Sequence, residues 1–203
     1  VTNPPIDPFR EKVVMSLQCP IGPEANILQP SAKQVHRLWL KHPVISIPDL
    51  EVLKLTKYRD WSAHVLDTTF PASEGASGVI PKLQAICEEA NEAAKKHQIL
   101  ILSDRLVGPD RIPISSLLAL GAVHHALIES RSRMKVALVI ESGEVREVHH
   151  VCVLLGYGAD AICPYLALEL ASSLRDQGVL DCSLTDEIIF QNYAQSIQTG
   201  VSK

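Results

Sequence analysis

The stretch that decides the fold is Glu141–Tyr165, ESGEVREVHHVCVLLGYGADAICPY. The apolar run Val136–Ile140 stops abruptly at Glu141-Ser142-Gly143, a charged loop leads into a helical segment, and Ala161–Cys163 returns to strand. That is one and a half βα units. Between helix and strand, Gly156-Tyr157-Gly158-Ala159-Asp160 reads as a turn in which Gly156 or Gly158 supplies the left-handed residue and Asp160 bonds into the turn. A phosphate-binding loop would run in the opposite sense, from strand to helix.

Upstream, the same alternation recurs. Strand-like His64–Leu66, Ile99–Leu102 and Val136–Ile140 are separated by helical segments at Val79–Lys96 and Ser116–Glu129. In the first helix Val79, Leu83, Ile86, Ala90 and Ala93 share one stripe, and Lys82, Glu89, Glu92 and Lys96 lie largely away from it. The strands ILIL, VALVI and AIC have no polar alternation, the pattern of parallel strands buried on both faces. The expected class is α/β with about four mainly parallel strands flanked by helices, built as a doubly wound sheet or as an incomplete (βα) barrel. Residues 61–203 carry these units, ending in a helix Leu166–Arg175, a break at Gly178 and a helix capped by Ser183 and Asp186 that runs to about Ile197. Residues 1–60 read as an irregular arm and connecting segment. Asn3-Pro4-Pro5 and Cys19-Pro20-Ile21-Gly22-Pro23 keep the backbone extended or turning, Gln34–Leu40 forms a short strand or helical turn, and Pro48-Asp49 opens a helix through Leu50, Leu53 and Lys54.

The 203 residues are 46% hydrophobic and 21% charged, a composition that folds and can bury a core without metals or disulfides. A net charge of −4 argues against nucleic acid or an anionic membrane as partner. No apolar run reaches the roughly 18 residues of a membrane span, and VTNPPIDP lacks the charged and apolar regions of a secretion signal. The five cysteines show no CxxC and no zinc spacing, so a reducing compartment, cytoplasm or plastid, is expected, with Cys87 and Cys152 as buried thiols on apolar helix faces. Val1 in place of Met points to a piece of a longer polypeptide.

Parallel strands bring their polar ends to one rim. The rim candidates are Asp67, Thr68 and Thr69; Asp104 and Arg105; Glu141 and Ser142; and Tyr165. Together with Arg146 the three carboxylates and Arg105 form either an ion cluster that positions a polar ligand or a set of braces for loops and helix N-termini. His124-His125 and His149-His150 are adjacent on helices, so each pair diverges by about 100° and reads as packed or carbonyl-bonded imidazoles, with no metal expected. No GxGxxG, GxxxxGK[ST] or GxSxG motif is present.

VTNPPIDPFREKVVMSL, QVHRLWL, LDTTFP, LILSDR, SSLLALGAVHHALI and ESGEVREVHHVCVLLGYGADAICPYLALE, six blocks in order over nearly the whole chain, together resemble the central domain of glutamate synthase. The wording ADAICPYLA is closer to the NADH- or NADPH-dependent eukaryotic type. The resemblance implies a connecting domain between a glutamine amidotransferase domain and an FMN synthase domain, related in topology to the FMN barrel, so that an incomplete (βα) barrel is the architecture expected, and helping to wall an ammonia tunnel. It also implies FMN, a 3Fe-4S cluster and NAD(P)H or ferredoxin for the full-length enzyme, and no catalytic residue, cofactor or metal in this segment. Met15 and Ser16 of the arm, and Val44-Ile45-Ser46, are the tunnel-side candidates, because a conduit for neutral ammonia needs modest polarity without a strong acid. On the same reading the isolated fragment is expected to self-associate through faces meant for its neighbours; the competing expectations are that Met15 is core and Ser46 a loop hydroxyl, and that the rim serves a stand-alone small-molecule enzyme or binding module.

Overall fold

The computed structural model describes residues 14–24 and 26–203. The expected extended stretch at Asn3-Pro4-Pro5 lies outside the described residues. Two short strands, β1 (Cys19–Ile21) and β2 (Leu38–Leu40), pair antiparallel, and α1 (Ile47–Lys54) follows. The βα units then run β3 (Ala63–Asp67), β4 (Thr69–Pro71), α2 (Val79–Ala93), β5 (Ile99–Ser103), β6 (Arg111–Pro113), α3 (Ser116–Glu129), β7 (Ala137–Glu141), α4 (Val148–Gly156) and β8 (Ala161–Cys163). The chain closes with α5 (Tyr165–Asp176) and α6 (Asp186–Val201).

The central sheet is parallel throughout, in the order β3-β5-β7-β8, which is also sequence order. Strands added always on the same side by right-handed crossovers place their helices on one face, as in a barrel, whereas a doubly wound sheet would reverse direction and use both. Leu66, Leu100, Leu102, Leu138, Ile140 and Ile162 accordingly share one cluster with Ile86, Ala90, Leu120, Val123 and Val151 of α2, α3 and α4, and with Ala194 and Ile197 of α6. The alternate residues Ile99, Ile101, Ala137, Val139, Ala161 and Cys163 face the other way. In a closed barrel that face would line the interior. Here Leu50 and Leu53 of α1, Ile21 of β1 and Ile45 cover it.

The two edges of the sheet differ. Along β8, Ile45 N donates to Ile162 O at 2.9 Å and Ile162 N donates to Pro43 O at 2.8 Å, so Val44 sits as a one-residue parallel extension. Among the described residues no strand pairs with the outer side of β3, where Val65 is 41% exposed.

Local chemistry sets the element ends. Ser46 Oγ accepts from Asp49 N at 3.1 Å and caps α1, whose Pro48 sits where its missing N–H costs nothing. Thr185, not the expected Ser183, caps α6 by accepting from Ile188 N at 3.3 Å. Gly158 supplies the left-handed turn before β8 with φ of 105°, but Asp160 reaches past that turn to accept from Leu138 N of β7 at 2.7 Å. Gly22, with φ of 123°, lets the arm lie flat on Trp61, since a Cβ there would fall 2.2 Å from the indole. The antiparallel ribbon of β4 and β6 has no counterpart among the elements expected from sequence; it extends the loops that follow β3 and β5.

Because Leu50 is fully buried between α1 and the sheet, Leu50→Ala is expected to lower unfolding free energy by about 2–5 kcal/mol in urea denaturation.

Candidate functional site

The strand register aligns Asp67, Ser103, Glu141 and Cys163 as one row at the C-terminal ends of the strands, on the face that α1 covers. Glu141 is 3% exposed, yet fully occupied. Ser103 Oγ donates to its Oε2 at 2.7 Å, and Lys54 Nζ, from the last turn of α1, lies 3.0 Å from its carboxylate. Lys54 also donates to Glu51 at 2.8 Å. Burial works against the ammonium charge, but the hydrogen bonds to Glu51 and Glu141 outweigh it and hold the Lys54 pKa above its ordinary value. Burial, reinforced by Glu141, pushes the Cys163 thiol up to about 12, so it remains an inert thiol.

Asp104, one residue beyond β5, anchors the loop after β7. Its carboxylate accepts from Ser142 Oγ at 2.8 Å and from Gly143 N at 2.9 Å. Ser142 Oγ lies 2.5 Å from Ser116 Oγ and accepts from Glu144 N at 3.0 Å. Glu144 in turn accepts from Ser116 N at 2.7 Å, covering the N-terminus of α3. Burial raises the Asp104 pKa despite hydrogen bonds from Ser142, Tyr165 and Gly143. Burial and then Asp104 raise that of Tyr165. Arg105 stacks on the Tyr165 ring at 4.3 Å and pairs with Glu169.

At the β3 end, Asp67 Oδ1 accepts from Thr69 N at 2.8 Å and from Thr69 Oγ1 at 2.7 Å, while Arg111 binds its other oxygen. Arg111 Nε also donates to Thr69 Oγ1 at 2.9 Å, and Thr68 Oγ1 donates to Ser103 O at 2.9 Å. The rim carboxylates thus sit in three separate arrangements: Asp67 with Arg111, Asp104 with Ser142, and Glu141 with Lys54. Arg105 binds Glu169, which lies outside the expected set. Arg146 does not join: it is exposed, its N donates to His150 Nδ1 at 3.2 Å, its O accepts from Tyr193, and among the described residues it forms no ion pair. Each rim carboxylate binds donors from its own chain.

The remaining candidates are dispersed. Met15 is 59% exposed in this chain and is not core. Ser16 Oγ accepts from Gln18 N at 3.1 Å. Ser46 Oγ donates to Asp49 Oδ2 at 2.6 Å while capping α1, and Val44 and Ile45 are buried on opposite faces of the sheet. Cys152 is exposed, contrary to expectation, because α4 turns it away from the sheet; Cys87 is half-buried, and burial raises its pKa. His125 and His149 are also exposed, His124 accepts from Arg133 and His150 from the Arg146 N–H, and none of the four bonds a carbonyl among the described residues. No group of three metal-ligating side chains occurs among the described residues, and no helix among them is long and apolar enough to cross a membrane. Two small pockets lie away from the rim, one of about 140 Å³ beside His36, Leu53, Tyr58, Trp61 and Ile99, the other of about 150 Å³ beside Arg37, His124 and Arg133.

The family model for the glutamate synthase central domain matches residues 1–203. A glutamate synthase [NADH] of Schizosaccharomyces pombe is 45% identical over 206 residues, covering 100% of this chain and 10% of that protein. The glutamate synthase [NADPH] large chain of Bacillus subtilis is 39% identical over 203 residues, again across 100% of this chain and 13% of the relative. The ferredoxin-dependent glutamate synthase 1, chloroplastic/mitochondrial, of Arabidopsis thaliana is 37% identical over 216 residues, with the same coverage of 100% and 13%. The chain thus spans about a tenth of the length of the curated relatives it matches.

Two measurements probe the rim. Lys54→Met leaves Glu141 buried without its cation, and the expected loss is on the order of 3 kcal/mol in urea denaturation, most of it recovered in Lys54→Met/Glu141→Gln. Asp104 has a folded pKa above its unfolded one, so its contribution is most favourable below the unfolded value and declines as pH rises towards the folded value. Stability of the parent chain relative to Asp104→Asn is therefore expected to fall as pH is raised above about 4, by about 1.4 kcal/mol for each pH unit that separates the two values, read from urea midpoints across pH.

Proposed function

The chain belongs to the glutamate synthase central domain family, and from that premise we propose that it is a connecting domain of a glutamate synthase polypeptide, with no reaction centre of its own. In this reading an amidotransferase domain releases ammonia from glutamine. An FMN domain with a 3Fe-4S cluster combines the ammonia with 2-oxoglutarate, using electrons from NAD(P)H or ferredoxin. This chain lies between them and helps to wall the ammonia path. Its identity of 45% to an NADH-dependent relative, against 39% to a bacterial NADPH-dependent one and 36–40% to ferredoxin-dependent ones, supports the eukaryotic NADH-dependent type. A cytoplasmic or plastid location fits the same reading.

The observation that carries the proposal is the covered inner face of the sheet. A ligand-binding barrel needs space at the C-terminal mouth of its strands. In this chain α1 lies across that face, and Lys54 and Ser103 occupy the Glu141 carboxylate there. The residues present do not fit a flavin on that face, which supports assigning the flavin chemistry to another part of the polypeptide.

Met15 and Ser46 are the tunnel-side positions in this proposal. Met15 is exposed, as a position that meets a neighbouring domain would be. Ser46→Phe would also remove the cap of α1, at about 1 kcal/mol, so Met15→Trp is the cleaner probe. In the full-length enzyme Met15→Trp is expected to reduce glutamine-dependent glutamate formation several-fold, while glutamine hydrolysis and flavin reduction persist in separate assays. Continued coupling of all three rates would refute the tunnel role.

A further inference from the structure

On the floor of the sheet, where strands begin, Arg133 Nε donates to His124 Nδ1 at 3.1 Å. A guanidinium carries donors only, so this bond exists only while Nδ1 keeps its lone pair: the ring is neutral, with its proton on Nε2. The rest of the Arg133 fork spreads over the floor. Nη1 donates to Val136 O at 2.9 Å, and Nη2 donates to Gly158 O at 2.8 Å and to Asp160 at 3.2 Å. Asp160 also receives Leu138 N. One side chain thereby joins α3, the start of β7 and the turn before β8.

The arm fastens to the same segment. Glu24 N donates to Met134 O at 2.7 Å, one residue from Arg133. Arg37, next to β2, pairs with Glu24 and donates to Pro20 O at 2.8 Å. Arm and floor face each other across the pocket of about 150 Å³ that Gly22, Arg37, His124 and Arg133 line.

We propose that His124, Arg133 and Asp160 form an acid-releasable clasp that fastens the β1–β2 arm to the floor of the sheet. A proton on Nδ1 would set donor against donor and place a second cation beside Arg133. Gly158 closes one side of the ring, where a Cβ would lie 2.4 Å from Nδ1, so the protonated ring can leave Arg133 only towards the pocket between floor and arm. His125, with its ring 5.5 Å away on the same helix, adds a like charge when protonated. Asp160 offsets part of that charge, and Glu24 and Arg37 face the ring from the arm as an already formed pair. Burial, then Arg133 and His125, hold the His124 pKa below the ordinary imidazole value, with Asp160 acting the other way. A depressed histidine pKa stabilises the folded state above the unfolded value, and that stability is lost as pH falls towards the folded value. Opening is favoured by up to about tenfold for each pH unit that separates the closed ring's pKa from that of the released ring.

The test is amide hydrogen exchange of the intact protein at about pH 7.5 and about pH 5, corrected for intrinsic rates. Protection of Glu24, Leu138 and Asp160 is expected to fall severalfold at the lower pH, relative to α2 and β5. His124→Asn places a neutral acceptor near the position of Nδ1 and should abolish that selective loss. Arg133→Gln should open the floor at both pH values. Equal loss in the His124→Asn protein, or a loss spread evenly over α2 and β5, would overturn the clasp. A direct NMR titration of the His124 ring decides the matter even if a variant fails to fold: titration at the ordinary value, without change in the floor amides, also overturns it.

Discussion

The structure depends on the covering of one sheet face by the chain's own N-terminal half. A parallel sheet must bury both faces, since its strands are apolar on both. The βα crossovers supply helices for only one of them, because strands laid down in sequence order all turn the same way. A complete barrel solves the other face by closing on itself. Four strands cannot, so Leu50, Leu53, Ile21 and Ile45 do the covering instead, each contributing about 1.5–3 kcal/mol by burial. The Glu141 end of the rim follows from that arrangement, for the covering helix delivers Lys54 to the strand ends.

Glu141 shows how the two faces are tied. As the last residue of a fully buried strand, on the covered side, its carboxylate would be untenable without partners. Ser103, its neighbour in the register, and Lys54, from a segment 87 residues earlier, supply them. A buried pair of this kind adds little net stability over an apolar substitute, but it penalises any other placement of α1. The pair ties the last turn of α1 to the end of β7. Asp104 has the equivalent role on the loops, drawing Ser142 and Gly143 to the end of β5.

Much of this fold is legible in the sequence because continuous apolar runs such as ILIL and VALVI report burial on both faces directly, and the stripe from Val79 to Ala93 reports a helix that covers a sheet. The choice between a doubly wound sheet and a barrel sector is not legible, because periodicity says which residues are buried and nothing about the direction in which strands are added. The strand-end carboxylates can be named for the same reason that strand ends can, yet their partners cannot. Lys54 and Arg111 sit in a short helix and a three-residue strand whose own patterns carry no sign of a distant acid. The β4–β6 ribbon is hidden by Pro71 and Pro113, which argue against strand, although each ends an edge strand where a missing N–H is tolerated. Cys152 misleads because its helix has apolar residues all round, so that composition does not say which side meets the sheet.

The two edges of the sheet complete the argument. Along β8 the chain returns through Pro43, Val44 and Ile45, and these residues satisfy the last strand's backbone while placing Val44 in one core and Ile45 in the other. The segment that seals the edge leads directly through Ser46 into the helix that covers the inner face, so sealing and covering are consecutive steps of one stretch of backbone. On the opposite side no strand among the described residues pairs with the edge of β3, but Glu89, hydrogen-bonded to His64 on one face of that strand, and Arg111 on Asp67 at its end put charge along it. Charge on an edge strand disfavours chance pairing with another sheet. The sector is thus sealed along β8 by its own chain and carries charge along β3.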